Sequence, residues 1–391
     1  MPSATPNLPY QQTAIVVEEA GKLRVRHDVP VLSPGPLEAV VKTAAVAINP
    51  VDAKMLDYSP VPGAVHGYDF AGTIVALGSD TPAHLNIGDR VASFVHGMNS
   101  ILPGVGAFAE YVTASADFIL HIPDNMTFND AASIGLGLFT AGLGVFHELR
   151  VPGSLSASHD SDLAIDERFV LVAGGSTATG TRAIQLLKLY VKIPSKLTLL
   201  LHSLKQPTNP ALSYSSDGLR PIATCSKSNA DLARRFGAEE VFDYSDPDCA
   251  SNIRRYTGGA LAYALDCVAR ADTTQLCYDA IGRAGGRYVT LEPFRTAITE
   301  KRALTINPSW LLALTVFGRK VDIAGEYFRE AQPDDHKFAR NLTVRVQELL
   351  DHGKFDTHPI KVMSGGLDGV KDGVDVIRSQ SVSGQKLVYP L

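Results

Sequence analysis

The run Gly-Gly-Ser-Thr-Ala-Thr-Gly at residues 174–180 carries residue types that suit a phosphate group. Glycine lets a backbone come close to a phosphate, and serine and threonine hydroxyls can donate hydrogen bonds to its oxygens. Four apolar residues before the run are typical of a buried parallel strand, and helically spaced apolar residues follow it. A strand that leads through a glycine turn into a helix favours the pyrophosphate of a dinucleotide. We expect contacts from Ser176, Thr177, Ala178 and Thr179.

An alternative for this run is purely structural, because a tight turn between a strand and a helix needs glycine whatever it binds. The run also departs from the pattern G-x-G-x-x-G, since hydroxyl residues stand where glycines are usual. Only the rest of the chain can decide between the two interpretations.

The composition limits the classes of protein that this chain can be. The 391 residues are long enough for two domains, and 45% hydrophobic residues allow a large core. A net charge of -5 without a Lys/Arg block argues against a nucleic-acid surface. The longest nearly apolar run, 133–146, is too short to span a bilayer, and the N-terminus lacks a secretion signal. The cysteines form no C-x-x-C pair and read as buried thiols of a cytoplasmic protein; they are Cys225, Cys249, Cys267 and Cys277.

The first part of the chain has the pattern of short strands separated by turns. Residues 13–17 and 23–26 predict a hairpin around Gly21, and Asn49-Pro50 ends a later strand. The pattern predicts a short helix or a turn at residues 51–54. Such dense strand and turn signals favour a barrel-like domain. Its further strands are predicted at 39–42, 44–48, 73–77, from the turn at 88–91, and 106–112.

The later part alternates strands with helices, after a first helical region at 130–136 and 139–149 and a polar linker at 151–167. This alternation predicts a parallel sheet with helices on both faces. Its strands are predicted at 170–173, 221–225, 240–243, 263–267 and 286–291, with helices after the first strand and at 229–236 and 273–282. The chain then ends with a helix at 369–379 and a strand at 386–389.

One segment does not fit this alternation. A loop between a helix and the next strand usually has about 2–6 residues, whereas roughly thirty residues lie between Leu189 and Pro221. One hypothesis is that residues 190–217 are a translated, retained intron. The alternative is a genuine surface insertion beside the sheet.

The order of these parts and several motifs resemble the medium-chain dehydrogenase/reductase family. The strings Gly-Gly-Ser-Thr-Ala-Thr at 174–179 and Ala-Ile-Gly-Arg-Ala-Gly-Gly-Arg-Tyr at 280–288 are most similar to the trans-acting enoyl reductases of fungal polyketide synthases. The other motifs, which are typical of the whole superfamily, lie at 47–52, 67–73, 87–91, 236–244 and 383–388.

The resemblance implies an α/β fold with a GroES-like β-rich catalytic domain and a Rossmann, doubly wound parallel-sheet domain. We expect the catalytic domain at 1–150, the cofactor domain at 151–320 with the suspected insertion at 190–217, and a C-terminal return to the catalytic domain at 321–391.

The residues after the second strand of the cofactor domain indicate which dinucleotide binds. An acidic residue there accepts a hydrogen bond from the ribose of NAD, whereas basic and hydroxyl residues accommodate the 2′-phosphate of NADP. This chain has no carboxylate at that point, which favours NADPH, although Lys227 could also be a solvated loop cation. The expected contacts are Ser226, Lys227, Ser228 and Asn229.

The resemblance adds further contacts that spacing alone does not give. For the cofactor it implies Tyr244, Leu291, Glu292, Val382 and Ser383, with Val51, Asp52, Ala53 and Lys54 near the nicotinamide end. For the acyl chain it implies a pocket formed by Ala141, Gly142, Leu143, Gly144, Val145, Phe146, His147 and Glu148, and by Ala313, Leu314, Thr315, Val316 and Phe317. Apolar runs with helical spacing are also typical of a core, and this alternative stays open for the pocket residues.

The sequence predicts no zinc site, because His66 has no cysteine near it and all four cysteines belong to the cofactor half. Reduction of an activated C=C bond is then the expected chemistry, with Lys54 binding the cofactor or the developing enolate. Tyr58 does not match the spacing of a known proton donor, so no catalytic residue is assigned.

The expected function is therefore a trans-acting enoyl reductase that uses NADPH. Its substrate would be a polyketide bound to the acyl carrier protein of a polyketide synthase or of a PKS-NRPS hybrid, and we expect a monomer. A free quinone or alkenal reductase is the alternative within enzymes. A non-catalytic partner that binds the synthase is the alternative from another class.

Overall fold

The computed structural model describes residues 8–151, 168–189 and 219–391. By its internal contacts the chain divides into two compact units. The first unit comprises residues up to Phe139 together with Ala313–Leu391, and the second comprises Thr140–Leu312. The suspected insertion at 190–217 and, apart from Val151, the predicted linker at 151–167 lie outside the described residues. The predicted domain boundaries stay a prediction.

The strands of the described residues follow one another along the chain in this order: β1 (Gln11–Glu19), β2 (Lys22–Pro30), β3 (Glu38–Ala47), β4 (Asp69–Leu77), β5 (Arg90–Phe94), β6 (Tyr111–Ser115), β7 (Leu120–His121), β8 (Arg168–Ala173), β9 (Leu219–Cys225), β10 (Glu240–Asp243), β11 (Tyr263–Asp266), β12 (Gly286–Thr290), β13 (Ile306–Trp310), β14 (Ile360–Val362) and β15 (Lys386–Pro390).

The α-helices of the same residues are α1 (Pro50–Tyr58), α2 (Phe128–Ala132), α3 (Gly135–Gly142), α4 (Ala178–Leu189), α5 (Ala230–Arg235), α6 (Cys249–Tyr256), α7 (Ala271–Ala280), α8 (Thr296–Thr299), α9 (Pro333–Asp351) and α10 (Gly366–Arg378). A π-helical segment, Leu143–Glu148, follows α3. Short 3₁₀ turns lie at Ala116–Phe118, Lys227–Asn229, Glu300–Arg302, Ala313–Phe317 and Gly325–Tyr327.

The first unit is built on β-strands. Strands β1 and β2 form the predicted hairpin, and a second sheet has the order β14-β15-β3-β4-β5-β7 with β6 paired to β3. The last strand, β15, pairs with β3 across most of the chain's length. Small buried side chains such as Ala45, Ala71 and Ala92 let α2 pack closely on this sheet.

The second unit contains a parallel sheet with the order β10-β9-β8-β11-β12-β13 among the described strands. Its strands are parallel throughout, and their apolar residues, such as Leu171, Ile222 and Ala264, are fully buried. The first strand, β8, lies in the middle and the order reverses on its two sides. This arrangement is the doubly wound sheet that the alternation predicted.

Several sequence predictions need correction. Residues 106–110 are not a strand, because the Ala109 amide donates at 2.9 Å to the carbonyl of Ala107, a tight turn that interrupts a regular ladder, and β6 begins only at Tyr111. The two strands predicted at 39–42 and 44–48 are one strand, β3. The helix predicted at 139–149 is the end of α3 followed by the π-helical segment. The elements β7, β13, β14, α6, α8 and α9 were not predicted.

Candidate functional site

The glycine turn of the second unit leaves backbone donors unpaired at the start of α4. Gly174 follows β8 directly and has a φ of 80°, which favours glycine. The Thr177 side chain donates to the Gly174 carbonyl at 2.8 Å and accepts from the Gly180 amide at 2.9 Å. Among the described residues, the amides of Ser176, Ala178 and Thr179 donate to no acceptor. Three unpaired N–H groups at a helix N-terminus fit a pyrophosphate.

A buried carboxyl group shapes the loop beside this turn. Asp266 ends β11, and its oxygens accept hydrogen bonds from the amides of Val268 and Ala269 at 3.0 and 2.9 Å and from Tyr288 Oη at 2.9 Å. Burial raises the pKa of Asp266 above its ordinary value. The loop brings Val268 so close to Gly174 that a Cβ there would be 2.6 Å from the valine Cγ2. Asp266 thereby fixes one wall of the turn, a role that sequence reasoning missed.

A pocket of about 560 Å³ opens at the end of β9, where the coenzyme-selecting residues were predicted. Ser226 and Lys227 line it, and so does Arg234, which the sequence analysis did not select. Lys227 is exposed, while Arg234 pairs with Glu240 at 3.2 Å. Asp243 also lines the pocket, and the amide and hydroxyl of Ser245 hold its pKa below the ordinary value. The pocket therefore combines two exposed cationic side chains, Lys227 and Arg234, with the Ser226 hydroxyl and the carboxyl groups of Asp231, Asp243 and Asp246.

The other residues predicted to bind the cofactor in this unit lie at the same edge of the sheet. Tyr244 directly follows β10 and is exposed, and Leu291 and Glu292 directly follow β12. Ser228 and Asn229 follow β9 in the 3₁₀ turn, where the Asn229 amide group donates to Ser226 Oγ at 3.1 Å. The carboxyl ends of parallel strands share one edge, so this unit gathers its predicted cofactor residues along it.

In the first unit, a buried ammonium group holds the start of α1. Lys386 Nζ donates to Asn49 Oδ1 at 2.8 Å and to Asp69 Oδ2, and both charged side chains are almost completely buried. Asp69 also accepts from the Leu136 amide at 2.6 Å. The Asn49 amide donates to Asp52 Oδ2 at 2.6 Å, which caps the helix that carries the predicted residues Val51, Asp52, Ala53 and Lys54.

Two ionisable side chains beside this network, His66 and Asp52, are completely buried. Burial lowers the pKa of His66 to about 4, and its Nε2 donates to the Asp52 carbonyl at 2.9 Å. Burial also raises the pKa of the Asp52 carboxyl well above its usual range. Burial thus disfavours the charged form of both side chains, beside the ion pair of Lys386 and Asp69.

Lys54 lies on α1 and contacts a residue from the far end of the sequence. Its Nζ donates to Tyr327 Oη at 2.6 Å and is 4.7 Å from the centre of the Tyr327 ring. Tyr58 is half exposed, and its ring packs edge-on against Tyr327 at 5.3 Å. The sequence analysis did not select Tyr327, because its partner is 273 residues away.

The residues predicted to form the acyl pocket belong partly to the second unit and partly to the first. Those at 141–148 lie in the last turn of α3 and the π-helical segment, where a Cβ on Gly144 would be 2.9 Å from a methyl of Leu265. Gly144 is therefore required for close packing, which is the structural alternative. Glu148 accepts a hydrogen bond from Ser309 at 2.9 Å. A π-helical segment is rare and is often found at functional sites.

The second stretch, Ala313–Phe317, forms a 3₁₀ turn in the first unit. Ala313 to Val316 are buried, and the Phe317 ring packs against the rings of Phe94 and Phe118 at 4.9 and 5.5 Å. His336 of α9 holds this turn through the Val316 carbonyl at 2.8 Å. The role of both stretches in substrate binding stays a prediction.

Val382 and Ser383 precede β15 in the first unit, with Val382 half-buried and Ser383 exposed. The structure therefore places the predicted cofactor residues in two groups. Residues 51–54, 382 and 383 belong to the first unit, and the others belong to the second.

Two family models match the chain. Residues 35–124 match the alcohol dehydrogenase GroES-like domain, and residues 215–321 match the zinc-binding dehydrogenase family. Among curated proteins, the trans-enoyl reductase traG of Penicillium crustosum is 73% identical over 391 residues and 100% of both chains. The trans-enoyl reductase caaB of Aspergillus niger is 64% identical over the same length, again with both chains completely covered.

The chain belongs to the trans-enoyl reductase family. This family lies within the medium-chain dehydrogenases/reductases, as the motifs predicted, and its members are oxidoreductases. The predictions of the family and of an enzyme are thus confirmed. The family and the doubly wound sheet also indicate a nicotinamide cofactor.

Solved structures of the same fold include other enoyl reductases. The CurK enoyl reductase has a TM-score of 0.68 at 16% identity and covers 97% of this chain and 99% of its own. The JamJ enoyl reductase has a TM-score of 0.69 at 17% identity with the same coverage. These likenesses confirm the predicted fold class, a GroES-like domain with a Rossmann domain.

The name of the second matching family mentions zinc, but the residues of this trans-enoyl reductase that the structure describes offer no donor set that fits that metal. No group of three or more His, Cys, Asp or Glu side chains that could hold a metal ion occurs among the described residues. The cation beside Asp69 is the ammonium of Lys386. Within the same residues no helix is long and apolar enough to cross a membrane.

Proposed function

We propose that this chain is a trans-acting enoyl reductase that uses NADPH to reduce the α,β-unsaturated thioester of a polyketide bound to a carrier protein. Its main support is the 73% identity, over the whole of both chains, to a protein named trans-enoyl reductase. Its partner would be a polyketide synthase or a PKS-NRPS hybrid in secondary metabolism. The enzyme would act as a cytoplasmic monomer.

The choice of NADPH rests on the end of β9. The residues there are Ser226, Lys227, Ser228 and Asn229, without the carboxylate that a 2′-hydroxyl would need. Lys227 is exposed beside a pocket of about 560 Å³, where its ammonium can reach a ribose phosphate. Tyr244, exposed after β10, offers a ring face at the same edge.

NADPH supplies the hydride for the β-carbon of the thioester when it is bound. The three unpaired amides of the glycine turn would bind its pyrophosphate, and Leu291 and Glu292 would line its path along the sheet edge. Residues 51–54 would meet the nicotinamide end. The Lys54 ammonium would bind the cofactor or stabilise negative charge on the thioester oxygen. The donor of the α-carbon proton is not assigned.

The acyl chain would lie against residues 141–148 and 313–317. Gly142 and Gly144 contribute little bulk, and the neighbouring side chains are mostly apolar, which suits a polyketide.

Turnover experiments with the purified protein test this proposal. Oxidation of NADPH is measured with an enoyl thioester on a phosphopantetheine carrier protein, and separately with a small quinone and an alkenal. Reduction of the carrier-bound enoyl chain with higher kcat/KM than the small acceptors supports the proposal. Preference for the quinone or alkenal would instead identify a free reductase. Binding to the synthase without turnover of any acceptor would identify a non-catalytic partner.

The variant Lys227→Ala tests the coenzyme choice. A hydrogen bond to a charged group contributes about 1.5–3 kcal/mol, so loss of an exposed one should raise the KM for NADPH about tenfold. The KM for NADH should hardly change, because NADH lacks the 2′-phosphate. Lys301→Ala removes an exposed lysine from the same unit and serves as the matched control. Equal changes for both coenzymes would contradict the assignment.

A further inference from the structure

Tyr327 is a largely buried tyrosine that no part of the proposed chemistry uses. It comes from a 3₁₀ turn in the C-terminal part of the first unit, and only 8% of its surface is exposed. Its hydroxyl accepts a hydrogen bond from Lys54 Nζ at 2.6 Å. We expect Lys54 to bind at the nicotinamide end of the cofactor, so a residue that contacts Lys54 can affect cofactor binding.

Backbone hydrogen bonds join the two ends of the loop that carries Tyr327. Val321 and Arg329 exchange two backbone hydrogen bonds, at 2.9 and 3.1 Å, where the loop begins and ends. The Arg329 guanidinium donates to the carbonyls of Glu326 and Phe328 at 2.5 and 2.7 Å. These bonds satisfy backbone carbonyls inside the loop and hold the position of the tyrosine between them.

The same turn packs against α1, the helix that carries Lys54. The Tyr58 ring packs edge-on against Tyr327 at 5.3 Å, and Tyr58 Oη donates to the Ala324 carbonyl at 3.5 Å. Gly325 has a φ of 64°, and a Cβ there would be 2.6 Å from Tyr58 Oη. A larger residue would therefore strain the turn and disturb its contact with Tyr58.

We propose that Tyr327 is a positioning residue that holds the Lys54 ammonium in the orientation needed to bind the reduced dinucleotide. A lysine side chain has a flexible four-carbon stem, and a hydrogen bond to a fixed phenol selects one of its many conformations. An ammonium held in advance loses less conformational entropy when the cofactor arrives. This inference rests on the proposed function, because it takes Lys54 as a cofactor-binding residue.

The variant Tyr327→Phe tests the inference, since it keeps the ring and removes only the hydroxyl. Cofactor binding is measured directly by titrating the fluorescence of NADPH, with NADH in parallel. We expect the Kd to rise by roughly three- to tenfold, which corresponds to the cost of ordering one free lysine side chain on binding. In a Lys54→Met background the same change should have no further effect on Kd. Gly325→Ala, which strains the turn, should weaken binding in the same direction.

Tyr111→Phe is the matched control, because Tyr111 is a half-buried tyrosine of the same unit on β6, a strand that carries no predicted cofactor contact. It should leave the Kd within twofold of the wild type. An unchanged Kd in Tyr327→Phe, or an equal loss with and without Lys54, would overturn the inference.

The two proposals fail in different ways. If the wild type binds the dinucleotide but reduces no enoyl thioester, the proposed function is wrong, and the Kd of Tyr327→Phe still decides the positioning role. If the wild type reduces enoyl thioesters and Tyr327→Phe binds and turns over like it, the positioning role alone is wrong.

Discussion

Removal of the buried ammonium of Lys386 should destabilise the first unit more than any change at its surface. The change Lys386→Met keeps an unbranched side chain of similar length but removes the charge and its hydrogen bonds to Asn49 and Asp69. Asp69, which has no exposed surface, would then keep a buried negative charge without its cation. Asn49 would also lose a partner at the start of α1, where the predicted residues 51–54 lie.

The structure sets the size of the effect. Breaking a buried ion pair by removing one partner costs about 3–5 kcal/mol. Asp69 keeps hydrogen bonds from the Leu136 amide at 2.6 Å and from Asn49 Nδ2 at 3.0 Å, so we expect about 3 kcal/mol, near the lower end of that range. The double variant Asp69→Asn/Lys386→Met removes both charges and should recover most of this loss.

Urea unfolding at neutral pH measures the free energy of unfolding of each variant. Circular dichroism follows both units, while fluorescence of the single tryptophan, Trp310, reports on the second unit alone. Lys361→Met, at an exposed lysine of the same unit, is the control and should change the free energy of unfolding by less than about 0.5 kcal/mol. A loss below about 1 kcal/mol in Lys386→Met, or simple additivity in the double variant, would refute the reasoning.

Two other predictions concern acid stability and self-association. Burial lowers the pKa of His96 to about 4 in the folded protein, whereas an unfolded histidine has a pKa of about 6.5. Between these two values the unfolded chain binds more protons than the folded chain. The free energy of unfolding therefore falls as the pH drops through this window. The difference in unfolding free energy between pH 7 and pH 5 should therefore shrink by roughly 2 kcal/mol in His96→Gln, whereas the surface change His84→Gln should leave it unaltered. Strand β13 is an edge strand of the described sheet. The Leu311 amide donates to the carbonyl of Thr290 in β12, so the ring nitrogen of Pro308 faces away from β12. At that edge Pro308 offers no hydrogen-bond donor to a strand of a second copy. Pro308→Val should promote dimers in sedimentation experiments, and a wild type that is already dimeric through this edge would contradict the prediction of a monomer.

Much of the second unit was predictable because its signals are local. The strand at 170–173, its glycine turn and the helix that follows are consecutive in sequence, and the later predicted strands each combine β-branched or aromatic residues with a turn. Strand β13 escaped prediction because Asn307-Pro308-Ser309 has the composition of a loop, and only pairing with β12 makes it a strand. The long helix α9 escaped because its charged residues obscure the apolar spacing.

The contacts that organise the first unit could not be predicted from spacing. Lys386 meets Asn49 across 337 residues, and Tyr327 meets Lys54 across 273. Lys386 lies in the superfamily motif at 383–388 and Tyr327 lies in none of the motifs, but each gains its role only when distant segments of the chain fold together. The short helix at Pro50–Tyr58 could be placed because proline and the Asn49 cap are local signals.

The pairing of β15 with β3 bears on synthesis at the ribosome. The second unit is continuous in sequence, so it can fold while the last segment is still being translated. The first unit cannot be completed until β15, which carries Lys386, has left the exit tunnel. Until then Asp69 and the side-chain oxygen of Asn49 lack the ammonium of Lys386, and the part of β3 that pairs with β15 is open to other chains. A nascent chain stalled before β15 emerges should therefore be especially prone to capture by chaperones.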